Sequence, residues 1–454
     1  MEFMMAFRII ALILTAAACL NTGIAQEISD PLTLEKAVEL AIQRNPEMLV
    51  AQEELYELEG KITEVRSGAY PQVTFQGYGL RLRDPSILNS SSFDEVPQEF
   101  RDALVPRASN LFDMGLNIKQ PIYNAGKVRT ALQLAEVSLE ERNAARDAVR
   151  QQLTFKVFQA FHTLLLTEAN LEVVRTTHQQ RLKHLDQARN RFHNGVATEV
   201  DVLRSEVNVA NVEPELIRAE NRVRLARAAI NNLIVEDLDA PTRIAGVLEY
   251  RPWLVESLGE MQKLTLERRP ELQAARRQVQ QARLTMSLAR AENKLTVDFE
   301  GNYGYAVREL QNVFNNDFSR WNLTFNFKLP LFDSGRKSGL LMQARARLKA
   351  AEQRLAQLEN NIKLEVKQAY DDMQSSARAI TAARLSVMQA EKVHAMMQAN
   401  YEYGAATTLD VLDSQTALTV ARNAQISATF DYEMAKARLR LASGNPILDG
   451  EVDR

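Results

Sequence analysis

"WNLTFNFKLPLFDSGR", at positions 321–336, decides how the rest of the chain is read. Its first nine residues alternate strictly, with Trp321, Leu323, Phe325, Phe327 and Leu329 against Asn322, Thr324, Asn326 and Lys328. A period of two marks a strand with one apolar and one polar face. Pro330 then ends the alternation and Gly335 supplies a turn. From Leu340 to Tyr403 no glycine or proline follows, so a long helix is expected.

The same order occurs earlier. "NIKQPIYNAGK" (117–127) aligns with "NFKLPLFDSGR" (326–336) at an offset of 209 residues, placing Pro121 and Gly126 opposite Pro330 and Gly335. At the same 209, "GVATEVDVLRS" (195–205) aligns with "GAATTLDVLDS" (404–414), with seven identities in eleven. "RNPEM" (44–48) and "RRPEL" (268–272) match at 224, so the first half carries 15 extra residues, assigned to the polar loop 83–110. Repetition at a fixed offset means one plan used twice. The expected division is a first repeat over 26–245 and a second over 246–454, meeting near "EDLDAPTRIAG" (236–246).

Each repeat is expected to hold two strands, a long helix and a returning helix. In the first these are strands near 72–82 and 112–120, a long helix over 127–194 and a return helix over 198–235. In the second they are strands near 295–305 and 321–329, a long helix over 336–403 and a return helix over 407–442. The run 127–194 has 68 residues without glycine or proline, about 100 Å of helix at ~1.5 Å per residue. Leu171, Val174, Leu182, Leu185, Ala188 and Phe192 make an amphipathic stripe along it, as in coiled-coil packing. Gly195 and Gly404 end the two long helices at hairpin tips. The fold class is mainly α with β.

Charged residues are a quarter of the 454, yet the net charge is −3, with no basic excess for nucleic acid. Arg8 precedes the apolar run "IIALILTAAACL", and "GIA" ends in small residues, so a signal peptide over 1–25 is expected rather than a membrane anchor. Cys19, the single cysteine, lies within it, which excludes a disulfide framework; lipidation at Cys19 is the alternative. No stretch approaches 18 consecutive apolar residues.

An exported protein with aromatic two-faced strands of 9–11 residues fits a tilted transmembrane β-barrel, the alternative being a soluble sandwich. An open sheet in lipid would leave its edge N–H and C=O groups unpaired. Barrels start at about eight strands, so four cannot close alone and more than one chain must contribute.

The duplicated plan, the "PIYNAG"/"PLFDSG" turns and the "GxxTxxDVL" restarts together resemble the TolC-like outer membrane efflux proteins over nearly all of the mature sequence. The resemblance implies a homotrimer forming a twelve-stranded outer membrane barrel continued by a periplasmic helical barrel. It implies a channel-tunnel for a tripartite efflux pump or type I secretion. The implied partners are a periplasmic adaptor meeting the Gly195 and Gly404 tips, an inner membrane RND or ABC transporter, and outer membrane lipid of a Gram-negative bacterium. A periplasmic coiled-coil scaffold that never enters lipid is the alternative from another class.

Thr198-x-x-Asp201 and Thr407-x-x-Asp410 have capping-box spacing, a structural role for both acids. Asp413 is not needed for a cap, and Arg204 is its counterpart. The resemblance makes Asp410 and Asp413 an acidic constriction at the periplasmic mouth and places Tyr401 and Asp201 at gate links. Ala406 stands where the family has an arginine, so one link is either missing or replaced by Arg204 acting on Asp410 or Asp413. His162, His178, His184, His193 and His394 are expected as solvated helix residues without metal-ligand spacing. No cofactor is expected, and no catalytic constellation is evident.

Overall fold

The computed structural model describes residues 31–83, 96–97, 99–100, 108–253 and 257–448. The signal segment 1–25, Cys19 and most of the loop 83–110 lie outside them. The first half runs α1 (Leu34–Arg44), α2 (Pro46–Ser67), β1 (Gln72–Leu82), β2 (Ser109–Tyr123), α3 (Lys127–His193) and α4 (Glu199–Leu233). The second repeats that order with α5 (Leu258–Arg268), α6 (Pro270–Arg290), β3 (Thr296–Val307), β4 (Ser319–Lys328), α7 (Arg336–Glu402) and α8 (Thr408–Ser443). Two short 3₁₀ turns, Leu310–Asn312 and Asn316–Phe318, join β3 to β4.

Helix pairs α1–α2 and α5–α6 add to the expected strand–strand–helix–helix plan. Their boundary is the matched "RNP"/"RRP" corner, with Pro46 and Pro270 at the first helical position, where a missing N–H costs nothing. Each corner is tied to the end of its return helix. Asn45 Nδ2 donates to Leu233 O at 3.0 Å, and the buried Arg269 donates to Leu441 O and Ala442 O at 3.3 and 3.0 Å. Those carbonyls sit in last helical turns, which lack intrahelical donors.

Each half has its own apolar core. Leu153, Val157, Phe161 and Leu164 of α3 pack with Val38 and Ala41 of α1 and Val223, Ala226 and Ile230 of α4. Ile362, Val366 and Met373 of α7 pack with Met261, Leu272, Tyr432 and Leu439. A third cluster, Phe155 and Phe158 of α3 with Met434 and Ala437 of α8, joins the halves. The stripe on α3 is divided: Leu171, Leu185 and Ala188 are buried, whereas Leu182 and Phe192 are exposed.

The strands form one antiparallel sheet in the order β1-β2-β3-β4. Registers such as Phe75↔Leu116, Leu116↔Tyr303 and Tyr303↔Trp321 put all the apolar alternators on one face. That face is open: Phe75 and Trp321 are each 71% exposed and Phe327 70%. The other face is polar. Lys119 pairs with Glu300 at 3.4 Å, Asn117 Nδ2 donates to Asn302 Oδ1 at 2.6 Å, and Arg320 pairs with Asp113. Gly115 and Gly304 oppose each other on the polar face, and a Cβ on Gly304 would stand 2.3 Å from Met114 O. Glycine at both positions is what permits so close a backbone approach.

β2 runs further than expected, through Pro121 to Tyr123. Pairing with β1 ends at Lys119, and the register with β3 shifts between Pro121 and Tyr123, so the missing proline N–H breaks no regular ladder. Pro121 is therefore inside a strand end, not in the strand-to-helix turn; Pro330 lies beyond β4 as expected. The turns themselves are left-handed pairs, Ala125–Gly126 (φ 53° and 79°) and Ser334–Gly335 (φ 50° and 87°).

Candidate functional site

Both long hairpins turn at one end of the molecule, and both turns follow the same local chemistry. Gly195 and Gly404 adopt φ of +71° and +75°, where a side chain would be strained. The first closes with Val196 N–H on Arg191 O at 2.9 Å, and the second with Ala405 N–H on Asn400 O at 2.8 Å. Thr198 and Thr407 then cap α4 and α8. Asp201 accepts from Thr198 N–H and Oγ1 at 3.0 and 2.7 Å, and Asp410 from Thr407 N–H and Oγ1 at 2.8 and 2.7 Å. Each is a complete capping box.

Those bonds hold both carboxyls below the usual carboxylate range. The Thr407 hydroxyl and then its backbone N–H do so for Asp410. Thr198 does the same for Asp201, helped by the charges of Arg204 and Arg191. Asp413 lies one turn past Asp410, exposed, with no ion pair among the described residues. Asp410 and Asp413 thus share the solvent-facing start of α8.

Arg204 does not reach Asp410 or Asp413 in the chain. Its charge acts on Asp201 of its own helix. The side chain lines a groove of about 370 Å³ between the starts of α4 and α8, with Val200, Leu203, Val207, Leu409 and Leu412.

Tyr401 does not bond Asp201 either. It is buried against α3, with its ring 5.5 Å from that of His184 and its hydroxyl accepting from Thr408 Oγ1 at 3.5 Å. The Arg191 guanidinium lies 4.5 Å above the ring centroid, and its Nη1 donates to Tyr401 O at 3.4 Å. Neither Arg191 nor His184 was singled out in the sequence for this site. Arg191 sits four residues before Gly195, as Asn400 does before Gly404, and that asymmetry was the available signal.

The histidines are not all solvated. His184 is buried, with no hydrogen-bond partner for Nε2 among the described residues, and burial, opposed by Gln187 and aided by Arg191, pushes its pKa down. His394 is half-buried beside Ser414 Oγ at 3.1 Å, and His162 stacks on Phe158 at 3.9 Å. The wide interhelical packing of the hairpins, invisible in a one-helix periodicity, covers them.

A two-faced, four-stranded sheet set above paired helical hairpins defines a protein built for a membrane at one end and water at the other. The chain belongs to the outer membrane efflux protein family, whose model matches residues 37–234 and 262–445, one stretch in each half. It is 25% identical over 391 residues to outer membrane protein TolC of Vibrio cholerae, covering 84% of each chain. It is 24% identical over 426 residues to the alkaline protease secretion protein AprF of Pseudomonas aeruginosa, covering 85% of this chain and 86% of that one. The crystal structure of the Campylobacter jejuni CmeC outer membrane channel superposes with a TM-score of 0.80 at 17% identity, over 90% of this chain and 85% of that one. The protein is accordingly an outer membrane protein of a Gram-negative bacterium with a large periplasmic extension, and the scaffold that never enters lipid is set aside. The family is one of channels, not enzymes.

Proposed function

We propose that three copies of this chain form a passive duct, a twelve-stranded outer membrane barrel continued by a periplasmic tunnel of helices. The observation that carries this reading is the sheet. One face is apolar and open, and the other is lined by Asp113, Lys119, Glu300, Asn302 and Arg320. Among the described residues neither β1 nor β4 has an outer partner. In lipid each unpaired backbone group costs several kcal/mol, so the edges must meet those of other copies. The polar face then becomes a wet lumen.

A secretion protein and an outer membrane channel stand among the similar proteins, and both support export through such a lumen. The duct serves a tripartite efflux pump or a type I secretion system. Its hairpin tips, turned by Gly195 and Gly404, meet a periplasmic adaptor, and an RND or ABC transporter in the inner membrane supplies the energy. At the periplasmic mouth Asp410 and Asp413 of three copies gather six carboxylates, which draw cations and narrow the opening. Tyr401, Asp201 and Arg204 belong to the surrounding gate.

Planar-bilayer recording tests the mouth. The wild-type pore is expected to prefer cations and to be blocked by multivalent ones, and Asp410→Ala with Asp413→Ala to lose both properties. Unchanged selectivity and block in that variant would remove the acidic constriction. Extraction as a monomer without detergent would remove the duct.

A further inference from the structure

The seam between the two hairpins changes character along its length. Near the middle of α3 it is apolar, through Phe155 and Phe158 against Met434 and Ala437. Toward the tips it becomes a series of polar rungs. Thr177 Oγ1 meets Thr419 Oγ1 at 3.2 Å, and Gln415 Nε2 donates to Gln180 Oε1 at 2.9 Å. The last rung is Arg191 on Tyr401.

We infer that Arg191 is the residue that latches the α7–α8 hairpin onto the α3–α4 hairpin at the mouth, with the Tyr401 ring as its seat. This rests on the reading of the tips as a gated mouth. Three features single Arg191 out. Its backbone is fixed by the Gly195 turn, because its own carbonyl accepts Val196 N–H. Its guanidinium makes no ion pair among the described residues, so the π face of Tyr401 and the Tyr401 carbonyl are its contacts across the seam. That carbonyl is in the final turn of α7, where the helix dipole favours a cation. Its charge is also felt at Asp201, so one side chain spans both hairpins where Ala406 offers none.

A planar guanidinium over a buried ring is held by the ring's quadrupole, and a phenylalanine keeps that seat. The test is single-channel recording of the full-length oligomer. Arg191→Ala and Tyr401→Leu are each expected to raise the open-to-closed ratio about three- to thirty-fold. The double variant should open no further than either single one, since both remove the same contact. Tyr401→Phe should behave as wild type, and Arg191→Lys, which keeps the charge without the planar face, should open partially. The inference is overturned if Arg191→Ala gates normally in a correctly assembled oligomer, if the two changes add, or if Tyr401→Phe opens as far as Tyr401→Leu. Recording Asp410→Ala with Asp413→Ala in parallel separates the levels. Altered selectivity there with no effect at Arg191 discards the latch and keeps the mouth, whereas no change in either discards the mouth as well.

Discussion

The α3–α8 seam at Phe158 and the same two hairpins at Tyr401 are built from opposite materials. At Phe158 two aromatic rings, a methionine and an alanine exclude water, and parting them would expose apolar area at about 25 cal/mol per Å². At the tip the Tyr401 ring still packs on His184, but the other contacts are hydroxyls, amides and one guanidinium, which water can replace, so each of those contributes only about 0.5–1.5 kcal/mol net. A seam graded in this way is weaker at the tip than at its middle.

The largest effect expected of that contrast is at the apolar end. Phe158→Ala removes a buried ring and should cost about 3–5 kcal/mol, read as a lower melting temperature of the detergent-solubilised protein. A loss below about 1 kcal/mol would mean that the halves are not joined there. On the sheet, Gly304→Val should block assembly of the proposed barrel, because a side chain there meets Met114 O; the oligomer should be lost in size-exclusion chromatography in detergent. A normal yield would mean that the close approach of the backbones at Gly304 is not needed for assembly.

Nearer the tip the effects shrink. His184 is buried with its pKa below the ordinary histidine value, so the unfolded chain binds more protons between the two values. Tip stability is then full above the unfolded value and falls as pH drops from about 6.5 through the folded one. Charged Arg191 and the Tyr401 ring face the imidazole from α3 and α7. Hydrogen-exchange protection at the ends of α3 and α7, taken relative to the intrinsic exchange rate at each pH, should fall over that window, and His184→Gln should flatten the response. Smallest is the cap: Thr407→Ala should cost roughly 1 kcal/mol and fray only the first turn of α8. If exchange spread along the whole helix, the tip and the base would not be independent.

Much of this was legible in order. The alternation at 321–329 became β4, the uninterrupted runs became α3 and α7, and the threonine–aspartate spacings became capping boxes. These are local signals, set by residues a few positions apart. The helices α1, α2, α5 and α6 were hidden because their pattern is short, and only the repeated proline corner hinted at them. The extent of β2 was hidden because Pro121 reads as a stop unless one knows that its neighbour strand has ended.

By itself the sequence determined which segments are two-faced strands, which are long helices and where the chain turns back, since hydrophobic period, glycine and proline act locally. It also determined that the plan is used twice. Only the tertiary structure decided that the four strands share one apolar face, that Tyr401 lies under Arg191, and that His184 is dry. Those facts depend on which helices lie side by side across separations of some two hundred residues, and the burial and contacts that result belong to no single segment.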